Sequence, residues 1–473
     1  MKFNILKGPF IKSKNSTNKI MRNLFISLIP IILFSFYKNG IIPYLNNKTD
    51  IFGMLYPLIF IFTGLISTFI IEYLYTYFIL KKRNEELKDY IKNSFSIFPG
   101  LFLSLVLPIN TPILVLIFGC FMATVIGKML YGGFGHNIFN PALIGCLFIV
   151  SSYSGLITSN GGYLNSYEVD TISSATPLSN IALVEGIGSY ETLVEPYGTL
   201  KDFFFGTIPG SIGETSAFLC IIAFIYLIFK RVIKWKIPVI YIGTVFIMTY
   251  IIGSINDLGI WYPLFQIFSG GLMFGSIFMA TDPVTSPTTS IGQVIYALFL
   301  GILTVVFRYL TGAPEGVMTS ILTMNMFVII LDKIGSKNKL PIKKILFPLI
   351  IAITLILTIS IKIGNDYKNP NKGDTDFKII EKTNDYYIVS QKGNGGPIKA
   401  KILIDNKEIT NIEILEHNET ASYYKLVEDN NYIEQLINSQ KTIENVDTIS
   451  GATISSTALR KMVINVMSDM ESE

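Results

Sequence analysis

Residues 51–80 read IFGMLYPLIFIFTGLISTFIIEYLYTYFIL, a run with one charge, Glu72, that closes on Lys81-Lys82-Arg83. A helix needs about 20 consecutive apolar residues to cross a bilayer core, so this stretch predicts a transmembrane helix. Working outward, comparable runs occupy 23–42, 94–107, 111–130, 138–157, 212–230, 237–255, 260–280, 290–310, 314–331 and 345–363. Together they make eleven expected spans, the third of them short. From residue 371 the sequence reads as ordinary water-soluble protein.

Composition agrees. The chain has 473 residues, 50% hydrophobic and 15% charged, against about 25% charged in soluble globular proteins, which argues against an ordinary cytosolic enzyme. Residues 1–370 carry 27 Lys/Arg against 17 Asp/Glu, and residues 371–473 carry 11 against 17. The basic residues of the first part lie in short segments between apolar runs. That placement orients a membrane protein rather than gripping a phosphate backbone, so nucleic acid is dropped as a partner.

Eleven alternating spans from a cytoplasmic N-terminus put residues 1–22, 81–93, 230–236 and 332–344 inside, with 6, 5, 4 and 5 Lys/Arg, and leave Lys38, Lys48 and Lys201 for the outside segments. The positive-inside rule supports this count. The basic start resembles a signal peptide, but no small-residue cleavage site follows, and it is read as uncleaved. Cys120, Cys146 and Cys220 lie inside apolar runs and suit core packing, the tail has no cysteine to staple it, and two histidines are too few for a His-based metal site.

Two internal echoes stand out. Phe-Met-Ala-Thr occurs at 121–124 and at 278–281, each followed by Gly/Pro/Asn-rich sequence at membrane depth. Chance is one account; an inverted repeat with broken helices near the midplane is the other. The longer echo is Asp-Thr-Ile-Ser-Ser-Ala-Thr at 170–176 and Asp-Thr-Ile-Ser-Gly-Ala-Thr at 447–453. It is either generic turn chemistry or one functional string presented twice. In the second copy Ser455 and Ser456 precede a stretch that predicts a helix with hydroxyl caps, and a helix N-terminus favours an anion.

In the membrane part, Asp282 between Thr281 and Pro283 is costly unless it pairs, binds a cation, relays protons or caps a helix. Glu72, Asp257 and Glu315 lie nearer span ends and are explained by snorkelling or exposure. In the tail, 398–404 and 409–415 predict paired strands around Asp405-Asn406-Lys407, and 421–438 predicts a helix. Gly393, Gly395 and Gly396 either let backbone approach a ligand or form a plain loop.

The membrane part resembles the D subunit of the Rnf electron-transport complex and the related B subunit of the sodium-pumping NADH:quinone reductase. The resemblance covers about residues 20–335 and rests on Gly132–Ala142, Ser174-Ala175-Thr176-Pro177-Leu178, Phe278–Thr289 and Gly312–Val317 leading to Met324-Asn325-Met326. The tail resembles the FMN-binding domain of the Rnf G subunit and of the C subunit of the sodium pump, through Gly393–Ile398, His417–Thr420 and Ser450–Thr453. In these families the threonine ending Ser/Thr-Gly-Ala-Thr receives FMN by a phosphoester bond. The resemblance therefore implies covalent FMN at Thr176 and Thr453, and around the latter Ser450, Gly451, Ala452, Gly395, Gly396, His417 and Glu419 as cofactor-binding residues. The first copy has Ser174 where the pattern has Gly.

The expected architecture is thus a polytopic α-helical membrane protein: a cytoplasmic N-terminus at 1–22, a membrane domain of about ten spans in an inverted five-plus-five repeat at 23–335, a linking transmembrane helix at 345–363, and a small extracytoplasmic α+β FMN-binding domain at 371–473. The resemblance implies a multi-pass cell-membrane flavoprotein subunit of an ion-translocating ferredoxin:NAD⁺ oxidoreductase. Asp282 is its candidate ion-coupling residue, and the resemblance also allows a non-covalent riboflavin in the core, at no named residues. The implied partners are the other Rnf-type subunits (A, B, C, E and a G-type chain), a flavin transferase, the lipid bilayer and, indirectly, ferredoxin and NAD. Alternatives are a quinone-linked sodium pump, a route exporting electrons to extracellular acceptors, and a flavin-free solute channel or transporter.

Overall fold

The computed structural model describes residues 16–160, 162, 177–178, 187–214, 216–310, 316–336, 342–366, 377–383, 385–392, 397–405, 408–417, 427, 431–439 and 453–471. The chain forms two compact units, Met1–Asn369 and Pro370–Glu473.

The first unit is helical. Ser16 caps α1 (Thr17–Phe36), which runs on through a π turn at Tyr37–Ile41 to Leu45. Asp50 accepts a hydrogen bond from Gly53 N at 2.7 Å and caps α2 (Ile51–Phe78), the run quoted above. Then come α3 (Asn84–Ser94), α4 (Phe98–Val106), α5 (Ile113–Phe121) with a π turn at Met122–Ile126, and α6 (Pro141–Ser159). After the long loop lie α7 (Ala217–Phe229), α8 (Lys236–Ile255), α9 (Trp261–Phe268), α10 (Leu272–Met279) ending in a π turn at Gly275–Met279, α11 (Ser290–Leu310), α12 (Val317–Asn325), α13 (Val328–Gly335) and α14 (Ile342–Asp366).

Among the described residues, six helices are long and apolar enough to cross a membrane, or eight if the bent pairs α9–α10 (68°) and α12–α13 (58°) each count as one. The third expected span is α4, whose nine residues rise only about 14 Å, half of a hydrocarbon core of about 30 Å. The eighth and tenth expected spans are the two bent pairs. The α9–α10 bend falls at Ser269-Gly270-Gly271, where Gly270 has φ +65°, a left-handed conformation that glycine adopts without a Cβ penalty.

Close backbone approach joins the helices. A Cβ on Gly100 would lie 2.0 Å from Gly64 O, so α2 and α4 cross where neither carries a side chain. Helices associate in lipid through such small-residue contacts. Between α8 and α11, Gly301 packs on Thr244, and buried hydroxyls satisfy one another: Tyr241 OH lies 2.6 Å from Thr304 Oγ1, which lies 2.9 Å from Ser320 Oγ. The three cysteines are buried and form no disulfide with one another.

The second unit is α+β. Strands β1 (Lys378–Lys382), β2 (Tyr386–Lys392), β3 (Pro397–Asp405) and β4 (Glu408–Glu416) form an antiparallel meander in that order. Asp405 pairs with Glu408, which leaves a two-residue hairpin connection where the sequence expects the turn. Cross-strand pairs Tyr387–Ile402, Val389–Ala400 and Gln391–Ile398 share one buried face. Alternation sends the other set outward. Helices α15 (Tyr432–Asn438) and α16 (Thr453–Glu471) supply Tyr432, Leu436, Ala458, Leu459, Met462, Val463 and Val466 to the core over that face. Within the helix expected over 421–438, the described residues show Tyr432–Asn438.

Candidate functional site

Both Phe-Met-Ala-Thr strings fall on π turns. The first copy enters the turn at Met122–Ile126; the second spans the end of the turn at Gly275–Met279. In each half a short helix, a break, a helix with a π turn, an irregular loop and a long helix follow in the same order. π bulges mark departures from regular helix, frequently at functional sites, and here the two loops that follow them meet. A cavity of about 60 Å³ is lined from the first half by Lys128, Phe134, Asn137 and Asn140 and from the second by Phe278, Thr281, Asp282 and Val284.

Asp282 has a local job at this cavity. Its Oδ2 accepts hydrogen bonds from Thr285 N at 3.2 Å and Thr285 Oγ1 at 2.9 Å, a contact three residues on, as a side-chain cap makes. The capping alternative is therefore present in the geometry, at a residue that also lines a polar cavity. The two halves are tied beside it. The Asn140 amide donates to Met279 Sδ at 3.5 Å. Asn325 accepts from Asn140 N and donates to Thr285 O and Ile321 O, each at 3.1 Å.

Aromatic rings wall the site. Phe95 stands 5.0 Å from Phe134 and Phe274 4.8 Å from Phe278, centroid to centroid, in tilted arrangements that aromatic pairs favour.

Glu72 overturns its sequence reading. It is fully buried, not snorkelling, and Lys128 reaches it from the segment that follows the π turn at Met122–Ile126. Lys128 Nζ donates to Glu72 Oε2 at 2.7 Å, to Glu72 Oε1 at 3.0 Å and to Ser94 O at 2.7 Å, and Ser94 Oγ donates to Glu72 Oε1. All three ammonium protons thus have acceptors. The available signal was Lys128 itself, a cation inside an apolar run, which requires a partner. A second buried cation was also missed: Arg308 Nη1 donates to Gln266 O at 2.6 Å and Gln266 Oε1 at 3.1 Å, and Gln266 Nε2 donates to Tyr309 OH at 3.1 Å.

In the tail, Thr453 is the first residue of the 19-residue helix α16, the position where backbone N–H groups lack intrahelical acceptors. The helix starts earlier than the sequence suggested. Ser455, Ser456 and Thr457 lie within it and are buried instead of capping it. His417 follows β4 and is exposed. Thr176, Gly395, Gly396, Glu419, Ser450, Gly451 and Ala452 lie outside the described residues.

Residues 4–340 match the NQR2, RnfD, RnfE family. The chain belongs to that family. Its match stops just before α14, and residues 393–468 separately match the FMN-binding domain, so one chain carries both modules. The chain is 37% identical over 335 residues, 70% of its length and 94% of the relative's, to the D subunit of the proton-translocating ferredoxin:NAD(+) oxidoreductase complex of Clostridium ljungdahlii. It is 32% identical, over 72% of its length and 96% of the relative's, to the Na(+)-translocating counterpart of Acetobacterium woodii. The B subunit of the Na(+)-translocating NADH-quinone reductase of Yersinia pestis is 35% identical over 52% of the chain and 60% of that protein.

Within the family-matched residues lie α1 to α13, the three π turns, the cavity and the Glu72–Lys128 pair. The FMN-binding match takes in β3, β4, α15 and most of α16.

Proposed function

We propose that this family member is the D-type component of an ion-translocating ferredoxin:NAD⁺ oxidoreductase complex, with its own flavin domain fused to the core. The observation that carries the reading is the near full-length match to two such D-type relatives in a chain that also holds an FMN-binding domain. The shorter match to the quinone reductase relative ranks the quinone-linked circuit second.

In this reading Thr453 and Thr176 each carry FMN through a phosphoester, attached by a flavin transferase, and the other Rnf-type subunits handle ferredoxin and NAD⁺. Bound FMN supplies the redox chemistry; the protein holds it in place and sets its surroundings. Position 453 suits the phosphate, because the dipole of a helix N-terminus favours an anion. The N-terminus lies in the cytoplasm and the tail outside in this reading, because residues 1–22 and the segment 332–344 leading into α14 carry 6 and 5 Lys/Arg, the positive-inside signature. The two π-turn segments are the related halves of an inverted repeat, and Asp282, at their meeting point, couples ion movement to electron transfer.

At about 60 Å³ the cavity suits water or a cation and falls short of the roughly 300 Å³ at which ligand pockets begin. A flavin ring would require Phe95, Phe98 and Phe134 to part, so we assign no riboflavin there.

Peptide mass spectrometry of the chain co-expressed with a flavin transferase tests the reading. The wild type should carry FMN-sized adducts on the peptides containing Thr176 and Thr453, each lost in its own Thr→Ala variant. An unmodified chain beside an active transferase would overturn it.

A further inference from the structure

Helix α14 begins beyond the family-matched residues, yet it is packed into the membrane unit against α8 and α11. Ala352, Ile356, Ser360 and Ile363 form its buried stripe, and Phe347, Ile350, Ile353, Leu357 and Ile361 face outward. The buried positions recur every three or four residues, the spacing of one helix face. Gly364 lies so close to α8 that an added Cβ would come within 2.7 Å of Ile255 Cδ1. There Asn256 Nδ2 donates to Ile252 O at 3.1 Å and, across the interface, to Gly364 O at 2.9 Å. One side chain thus closes the C-terminal ends of both helices, and α8 and α14 run in the same direction.

Apolar burial gives little drive for helix association in lipid; close packing and interhelical hydrogen bonds do the work. This interface has both, at a helix that the family-matched core does not include. We propose that the α8–α11 face is a seat for the single membrane anchor of a flavin-binding domain, that α14 fills it in cis, and that a separately made anchor of the same kind is thereby kept off this face. The proposal takes from the preceding reading only what the anchor carries. Seating is measured without reference to flavin.

Co-purification from mild detergent tests it. A chain ending at Ser336 keeps nearly all of the family-matched residues, and an alignment of 335 residues of the chain already accounts for 94% of the length of one relative. It is expressed with a tagged piece covering residues 337–473. The piece should capture this shortened chain roughly tenfold or more above the full-length chain, whose tethered helix competes at millimolar effective concentration. Ser360→Leu with Gly364→Leu in the piece should abolish capture. The same two changes in the full-length chain should unseat its own helix and allow capture of the unmodified piece. Equal capture of the shortened and full-length chains would place the anchor on another face. Capture of neither, with both partners running as single species on size exclusion, would mean that the seat does not hold an anchor. Either result overturns the proposal. Thr453→Ala in the piece should leave capture unchanged, so failure of the flavin assignment and failure of the seat are read separately.

Discussion

Lys128 and Glu72 in the membrane unit, and Lys382 and Asp469 in the tail, are ion pairs of the same length, 2.7 Å between nitrogen and oxygen. The first pair is 2% and 0% exposed; each member of the second is 33% exposed. Equal distance does not mean equal consequence. In the tail, water screens the attraction and solvates either partner when the other is lost. In the membrane unit neither charge has that recourse, and removing one strands the other in a nonpolar interior.

The largest expected effect is therefore at Lys128. Lys128→Met should cost about 3–5 kcal/mol, the usual penalty for orphaning a buried charge, seen as a sharp fall in the thermal unfolding temperature of the purified protein. Glu72→Leu combined with Lys128→Met should recover most of the loss. A double variant as unstable as the single one would show that the pair holds α2, α3 and the segment after α5 together by more than mutual neutralisation.

Asp282 tests the middle of the comparison, a carboxylate held by its own turn. Asp282→Ala should cost about 1 kcal/mol through the lost turn contacts to Thr285. Asp282→Asn, which keeps an acceptor, should leave stability within about 0.5 kcal/mol while stopping ion uptake driven by electron transfer in membrane vesicles. Uptake at wild-type rate in the Asn variant would reduce Asp282 to a turn residue.

The smallest effect belongs to the tail. Lys382→Met should cost at most about 1 kcal/mol. The hydrogen bond from Lys382 holds the Asp469 carboxyl below its ordinary range, so the pair's contribution is complete above the unfolded value of about 3.9 and fades as pH falls through the lowered native one. Hydrogen exchange of the strand amides between pH 7 and pH 3 should show that acid-side loss in the wild type and its absence in Lys382→Met.

Much of this was legible in the sequence, because apolar length marks a helix and alternation marks a strand. Residues 51–80 became α2, and the pair around Asp405 became β3 and β4 with the expected hairpin. The breaks were harder to see. Hydropathy averages over a window and reports the same value for a straight helix and for α9–α10 bent by 68°. Nor does it distinguish the half-length α4 from a span. The Glu72–Lys128 pair joins residues 56 positions apart, and its partners are revealed only when α2 and the segment after α5 come together. The two threonines proposed to carry flavin were read from short strings alone, and the start of α16 at Thr453 is what gives one of them a physical setting.

The meander of the tail bears on the order in which that setting comes into being. Every described strand pairs with its neighbour in the chain, so the sheet closes through short connections at little entropic cost and can form early. Its apolar face then waits for Ala458, Leu459, Met462 and Val463 of α16. The helix headed by Thr453 is the closing piece of the core, and the proposed attachment site acquires a fixed place only once the rest of the domain exists to receive it.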